Sequence, residues 1–403
     1  MASIDKFIRY AKIDTQADDT TGTTPSTEKQ KNLSRLLVEE LKELGLDDAY
    51  MDEYGIVYAH LKGEGDKIGV NAHIDTALEV TDTDVNPQIH YNYDGGDIKL
   101  NEVYTLSPKQ FPILNKYKGC DIVTTDGTTL LGADDKAGIA IIMNALEYFH
   151  NHPEVKHHNI SVAFTVDEEI GEGPKHFSLE KMDADYAFTI DGADISCVDF
   201  ENFNAQGFEM DIQGVSVHPG EGKGRLINAL LVLNEFINML PAKETPFDAN
   251  EDEGYWHMNG ISGTSDKVHM DMILREFDRE KLVKRDLFIE NCIKSLLEKY
   301  PGISIEYKIS EQYENMKPYV EKMPKPKEVA YEALRKNGIN PRSTKIRGGT
   351  DGATFSKMGL VTPNLGTGSY NHHGRFEFLA IQEFEKMIQV LIDILKYKQR
   401  KNH

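Results

Sequence analysis

The run from Ser161 to Gly173, Ser-Val-Ala-Phe-Thr-Val-Asp-Glu-Glu-Ile-Gly-Glu-Gly, limits most sharply what this chain can become. Its apolar and β-branched residues read as a buried strand, which delivers two adjacent carboxylates, Glu168 and Glu169, into a glycine-rich turn. Burying acids is unfavourable without a partner, and no basic residue stands within the run. The compensation this pattern points to is a metal cation, with one carboxylate as ligand and its neighbour, directed elsewhere, as a proton shuttle. A loop of solvated acids is the plainer reading of a Glu-Glu pair by itself. The choice between them rests on the rest of the chain.

The 403 residues suffice for two domains, each with its own core. With 45 Lys+Arg against 66 Asp+Glu the net charge is −21, which makes nucleic acid and anionic membranes poor partners. No run of ~18 apolar residues occurs, and the opening Met1 to Phe7 lacks the basic-then-apolar order of a signal peptide. Cys120, Cys197 and Cys292 are widely spaced and odd in number, so they build neither a disulfide framework nor a CxxC zinc knuckle. A reducing cytoplasm is the expected setting.

Residues 26–45 carry helical periodicity between a Ser26 cap and a Gly45 stop. Residues 54–61 and 67–72 read as strands, the second running into His73-Ile74-Asp75. Side chains two apart share a face, so His73 and Asp75 project together from the carboxyl end of a strand, where open α/β sheets place their sites. Thr81 to Lys118 turns polar without lasting periodicity and is expected to be an inserted loop or small hairpin, a candidate substrate-contacting flap. Asp121 to Leu131 is expected to be a hairpin turning at Asp126-Gly127. It leads into Gly132-Ala-Asp-Asp-Lys-Ala-Gly138 and an apolar helix. Asp134 and Asp135 at that helix start either stabilise its dipole or supply a bridge between two metals. Another apolar strand, Asp185 to Asp191, ends in an acid.

From Phe208 to about Ser310 the expected order is strand 208–217, helix 224–240, strands 254–262 and 266–276, helix 279–299 and strand 302–310. This β-α-β-β-α-β order is the split ferredoxin-like unit, able to fold as a compact insert. Residues 1–205 and 313–403 then form one domain in two parts, with 206–312 inserted. His218 ends the first inserted strand. Arg275 ends the third, where an ion pair with Glu276 or Asp278 is the alternative reading. Further on, Ile346 to Gly352 is a glycine-rich turn in which backbone amides and Arg347 could hold an anion. His372 and His373 lie in a glycine-rich loop before a final amphipathic helix.

In order, His73-x-Asp75, Gly132-Ala-Asp-Asp-Lys-Ala-Gly138, Asp167-Glu-Glu-x-Gly171, Asp191-Gly192, Val217-His-Pro-Gly220, Arg347-Gly-Gly-Thr-Asp-Gly-Ala353 and Tyr370-Asn-His-His-Gly374 resemble the motifs of tripeptide aminopeptidases within the larger family of di-zinc exopeptidases and deacylases. The match covers nearly the whole chain. The resemblance implies an α/β fold, with a mixed-sheet catalytic domain and an inserted ferredoxin-like α+β lid and dimerisation domain, in a cytoplasmic homodimer acting on small peptides. It implies two Zn²⁺ per subunit, with His73 and Asp191 on one and Glu169 and His373 on the other. Asp135 would bridge them, because the family's pattern of Ala, any residue, then Asp selects the second of the Asp134-Asp135 pair. Co²⁺ or Mn²⁺ could substitute for zinc.

By the same resemblance Asp75 orients His73, and Glu168 is the general base. His218 reaches the partner subunit's site and steadies an oxyanion. Arg275 and Arg347 are the candidates to receive a peptide's terminal carboxylate. A di-zinc N-acyl amino acid deacylase or a dipeptidase is the alternative within the same fold. A catalytically dead zinc-binding protein is the alternative outside it, and the presence of Glu168 argues against that. No G-x-S-x-G elbow of a serine hydrolase occurs.

Overall fold

The structure, a computed structural model, describes residues 3–397. The chain forms two compact units. Of the described residues, one comprises 3–200, Pro318–Thr344 and 350–397; the other comprises Glu201–Lys317 and Lys345–Gly349.

The first unit is built on a seven-stranded mixed sheet in the order Tyr50–Met51, Val57–Leu61, Asn159–Thr165, Lys67–His73, Tyr186–Gly192, Asn364–Gly366, Val198–Asp199. Its four middle strands run parallel. Parallel strands are covered on both faces and therefore read as continuous apolar runs. In Asn159–Thr165 every residue after the first is buried, and the same holds for Lys67–His73.

The helix Ala133–Asn151 packs on Lys67–His73 and Tyr186–Gly192, with Ser3–Ala11 and Ile381–Leu395 against it. It is therefore buried nearly all round. A Cβ on Gly138 would lie 1.9 Å from the carbonyl oxygen of Ile190, so only glycine lets this helix approach the strand end that carries Asp191. The helix expected over residues 26–45 spans Gln30–Glu43, and Gly45 follows it in the left-handed region. Ser26 does not cap it. Lys29 stands at the cap with no side-chain bond, while the Ser26 amide and hydroxyl both donate to the Asp167 carboxylate, at 2.6 and 2.5 Å. A buried acid one residue from Glu168 has the stronger claim on that hydroxyl than a helix end open to water.

The polar segment after Thr81 carries structure of its own. Gln88–His90 joins Ile122–Thr124, Phe378–Ala380 and Ser369–Tyr370 in a four-stranded sheet. A short hairpin, Ile98–Lys99 with Thr105–Leu106, sits over a cluster that includes Tyr93, Ile98, Leu114, Tyr117 and Phe378. The hairpin expected at Asp126-Gly127 is absent. Ile122–Thr124 is paired on one side with Gln88–His90 and on the other with Phe378–Ala380, so both of its edges are taken by strands distant in sequence.

The second unit is a four-stranded antiparallel sheet in the order Tyr255–Gly263, Lys267–Glu276, Asn204–Gln213, Ser304–Tyr313. With the helices Ala229–Met239 and Arg279–Lys299 between strands, it has the β-α-β-β-α-β order. Burial alternates along Lys267–Glu276, and the buried face, with Phe208, Met270 and Met272, packs under Val232, Phe236, Leu282 and Ile293. Asn228 and Asp278 cap the two helices through their side chains. The first strand starts and ends earlier than expected, at Asn204 and Gln213, because the chain leaves the sheet at Gly214, where a Cβ would meet the Ile227 oxygen at 2.3 Å. His218 consequently lies in a loop beyond the strand. Among the described residues no helix is long and apolar enough to cross a membrane.

Candidate metal centre

The carboxyl ends of neighbouring parallel strands in the first unit bring the polar residues together, as expected of a site on an open α/β sheet. His73 is the last residue of its strand, Asp191 lies near the end of the adjacent one, and Glu168 and Glu169 follow the strand on the other side. Asp134 and Asp135 open the long helix with non-helical dihedrals, which turns their side chains in different directions. His373 comes from the loop after Ser369–Tyr370.

Two groups of potential ligands share His73: one with Asp134 and Glu169, the other with Asp135 and Asp191. Asp134 Oδ1 lies 3.0 Å from His73 Nε2, and Asp191 Oδ1 lies 3.5 Å from the same nitrogen. His373 Nε2 is 3.1 Å from Glu169 Oε2 and 3.3 Å from Asp134 Oδ2. Its neighbour His372 turns Nε2 to the Ser369 hydroxyl at 2.8 Å, though its Nδ1 remains 3.4 Å from Asp134.

The geometry revises one expectation. Asp135 was expected between the two halves of the site, yet its Oδ2 accepts the His73 main-chain N–H and its Oδ1 that of Gly138, both at 3.2 Å. The carboxylate lying between the His73 and His373 imidazoles is that of Asp134. Charges follow the same division. Burial alone would raise the Asp134 pKa, but His372, His373 and His73 outweigh it and hold it well below the usual range. Burial and the neighbouring Asp191 push Asp135 well above that range.

Asp75 is fully buried. Its main-chain oxygen lies 3.0 Å from His73 Nδ1 and its Oδ1 3.4 Å from the same nitrogen. Its two carboxylate oxygens also accept the amides of Glu168 and Glu169. Burial pushes Glu168 well above the ordinary glutamate value. Burial, with Asp134 beside it, takes Glu169 to about 7, and burial takes Asp191 to about 6. Hydrogen bonds to Asp134 and Glu169 lift His373 to about 11.

The buried carboxylates of this cluster outnumber the imidazoles that face them. The donor set suits a divalent metal: imidazole nitrogens and carboxylate oxygens, the mixture that zinc accepts. Glu169 Oε1 is buried with no hydrogen-bond partner, a costly state for a carboxylate oxygen unless a cation meets it. The residues therefore fit the metals that the resemblance implies.

The other expected substrate contacts belong to the second unit. Arg275 donates through Nη1 to the carbonyl oxygens of Gln206 and Leu274 and lies over the Tyr313 ring. Its alternative partners are taken: Glu276 pairs with Arg285 at 3.1 Å, and Asp278 caps a helix. Arg347 donates to the Asn250 oxygen at 2.6 Å, with its guanidinium over Phe203 and Tyr255. His218 is exposed, its Nδ1 accepting the Gly220 amide at 3.1 Å.

Comparison with known proteins gives this centre a context. The model of Peptidase family M20/M25/M40 matches residues 126–397. Peptidase T of Clostridium perfringens is 46% identical over 396 residues, which is 97% of this chain and 98% of that protein. The chain belongs to the M20/M25/M40 peptidase family. It is accordingly a peptidase, and its fold is that of solved M20 structures. The aminopeptidase PepT of Bacillus cereus superposes with a TM-score of 0.78 at 20% identity, covering 98% of this chain and 97% of the other. A tripeptidase of Staphylococcus aureus gives 0.78 at 21%, with the same coverage. YXEP of Bacillus subtilis, described as a dinuclear metal binding peptidase from the M20 family, gives 0.63 at 14%, covering 97% and 96%.

Two residues of this M20 centre were given no role by the sequence reading. Asp351 is buried, with Oδ2 accepting from Thr165 Oγ1 at 2.5 Å and Asn71 Nδ2 at 3.2 Å, and with Oδ1 unpartnered. Glu377, also buried, takes backbone amides near Asp134. Asp351 stands in the Arg347–Ala353 motif, where only Arg347 was given a role, and Glu377 stands outside every motif quoted above.

Proposed function

We propose that this chain is a zinc-dependent aminopeptidase that releases the N-terminal residue of tripeptides. The observation that carries the proposal is the grouping of His73 with two carboxylate pairs, Asp134 with Glu169 and Asp135 with Asp191, with Glu168 Oε2 4.0 Å from His73 Nε2 and outside both groups. Two ions per subunit would be held by His73 and Asp191 on one side and Glu169 and His373 on the other. Asp134 is the bridge in this reading, in place of Asp135, because it alone of the pair lies between both imidazoles. When bound, such ions polarise a peptide carbonyl and lower the pKa of water to ~7.

The chain's own groups do the rest. Glu168 takes the proton of the attacking water and returns it to the leaving amine. Asp75 fixes the His73 ring through Nδ1, leaving Nε2 toward the metal side. Arg275 or Arg347 would receive the terminal carboxylate, so that two ends held at a set distance admit three residues. A cytoplasmic homodimer through the second unit, with His218 serving the partner's site, completes the reading. Support for the tripeptide class comes from full-length similarity to Peptidase T and from the fold shared with a tripeptidase.

The test is a metal-replete assay on di-, tri- and tetrapeptides beside N-acyl amino acids. Fast release of the first residue from free tripeptides alone is the expected result. Preferred cleavage of N-acyl amino acids would instead assign a deacylase, and preferred cleavage of dipeptides a dipeptidase.

A further inference from the structure

Glu377 is a carboxylate at 1% exposure that no step above uses. Its Oε2 accepts the amides of Leu131 and Gly132 at 2.9 and 2.8 Å, and its Oε1 accepts the amide of Asp134 at 2.9 Å. Three main-chain donors from one turn therefore converge on a single side chain 243–246 residues away. Converging amides make an anion-binding concavity, and the anion here is supplied by the protein itself. Burial raises the Glu377 pKa, while His372 and the amides of Asp134 and Gly132 work against that rise.

The placement of Glu377 gives the bond its meaning. It stands four residues after His373 and immediately before the strand Phe378–Ala380, which pairs with Ile122–Thr124. One peptide segment thus carries His373 at one end and grips the turn of Asp134 at the other. We propose that Glu377 is a positioning residue that clamps the 131–134 turn to the His373 loop and so sets the distance between two metal ligands, Asp134 and His373. The proposal rests on the reading of Asp134 and His373 as ligands. Such outer contacts orient the groups that touch a metal, and losing one lowers metal affinity about 10- to 100-fold.

Two readouts on Glu377→Gln and Glu377→Asp test this. Gln keeps the size but sets an NH₂ group against one of the amides, and Asp keeps the charge but is too short to reach all three. Hydrogen exchange of the metal-free protein should quicken at Leu131, Gly132 and Asp134, about tenfold or more in the Gln variant, with rates in the second unit unchanged. Zinc affinity, read by competition with a chromogenic chelator, should fall about 10- to 100-fold for Gln and less for Asp.

Unchanged exchange at those amides overturns the proposal. So does faster exchange with wild-type zinc affinity, which would leave Glu377 a tie without influence on the centre. Should the Gln variant not fold, the Asp variant is judged by the same two criteria. Wild-type protein that binds no zinc, cobalt or manganese would sink the metal reading itself, and the exchange arm alone would then decide whether Glu377 holds the turn.

Discussion

Asp75 Oδ1 accepts the main-chain N–H of Glu168 at 3.0 Å. The second oxygen of the same carboxylate takes the Glu169 amide at 3.1 Å, so one buried acid just past the end of the neighbouring strand fixes the backbone of both glutamates. The two side chains then diverge, Glu169 toward His373 and Glu168 toward His73.

Divergent roles follow for the two neighbours. Glu168→Gln keeps the backbone contacts and removes the proton acceptor, so turnover should fall by about 10²–10⁴ while metal content stays near two per chain. Glu169→Gln should lose metal. Elemental analysis of the two purified variants checks this, and the opposite pattern would reverse the assignment.

Asp134 and Asp135 should separate in the same way. Asp134→Asn should bind zinc weakly and lose activity. Asp135→Asn, whose side chain also serves the amides of His73 and Gly138, should lose less zinc than Asp134→Asn and lower the melting temperature. Full metal content in the Asp134 variant, or its loss only in the Asp135 variant, would return the bridge to Asp135.

The adjacency of these two aspartates explains why the sequence by itself leaves the choice between them open. Nothing in Asp-Asp distinguishes one carboxyl from the other, and only the non-helical backbone at the helix entry does so. Of the four parallel strands, Asn159–Thr165, Lys67–His73 and Tyr186–Gly192 were legible because burial on both faces favours apolar residues, whereas Asn364–Gly366 lies in a glycine-rich stretch that gave no strand signal. The inserted β-α-β-β-α-β unit was legible because its elements alternate locally. Ser26 and the strand Ile122–Thr124 were misread because their partners, Asp167 and Phe378–Ala380, lie 141 residues away in one case and more than 250 in the other. A local cap or turn signal carries no information about such partners.

Asp351 should make the stability of the metal-free protein depend on pH. Burial raises its folded-state pKa from 3.8 to about 6. Because the folded value exceeds the unfolded one, its contribution to stability is fully present below about pH 4 and is lost as pH rises through about 6. Asp351→Asn removes that dependence. The variant should therefore gain on wild type by roughly 2–3 kcal/mol at pH 8 and by little at pH 4. Urea unfolding of both proteins across this range is the measurement; a gap that does not change with pH would contradict the assignment.

Amidating the carboxyl end of a good tripeptide should weaken kcat/KM about 10- to 100-fold, the loss expected when a charge-assisted hydrogen bond goes. Arg347→Ala or Arg275→Ala should largely abolish the difference between free and amidated substrate. Equal cleavage of amidated tripeptides, free pentapeptides and free tripeptides by the wild type would end both the length-measuring idea and the tripeptidase assignment.

A shared site in a homodimer predicts complementation. His218→Ala and Glu168→Gln subunits, each inactive by itself, should recover activity in verified mixed dimers, because one of the two sites then has an intact base and an intact partner histidine. No recovery would count against a site completed by the partner.

The place of Asn364–Gly366 in the large sheet has a consequence for the order in which the protein can be made. It lies between Tyr186–Gly192 and Val198–Asp199 and pairs with both. On the ribosome those strands emerge about 170 residues ahead of the segment that joins them, a wait of roughly 10–35 s at typical synthesis rates. Throughout it their facing edges expose unpaired backbone, the kind of surface that recruits other chains. The interval is filled by synthesis of the second unit, whose sheet closes on its own strands. Co-translational chaperone binding should therefore concentrate on nascent chains of this intermediate length and fall away once residue 366 has left the exit tunnel.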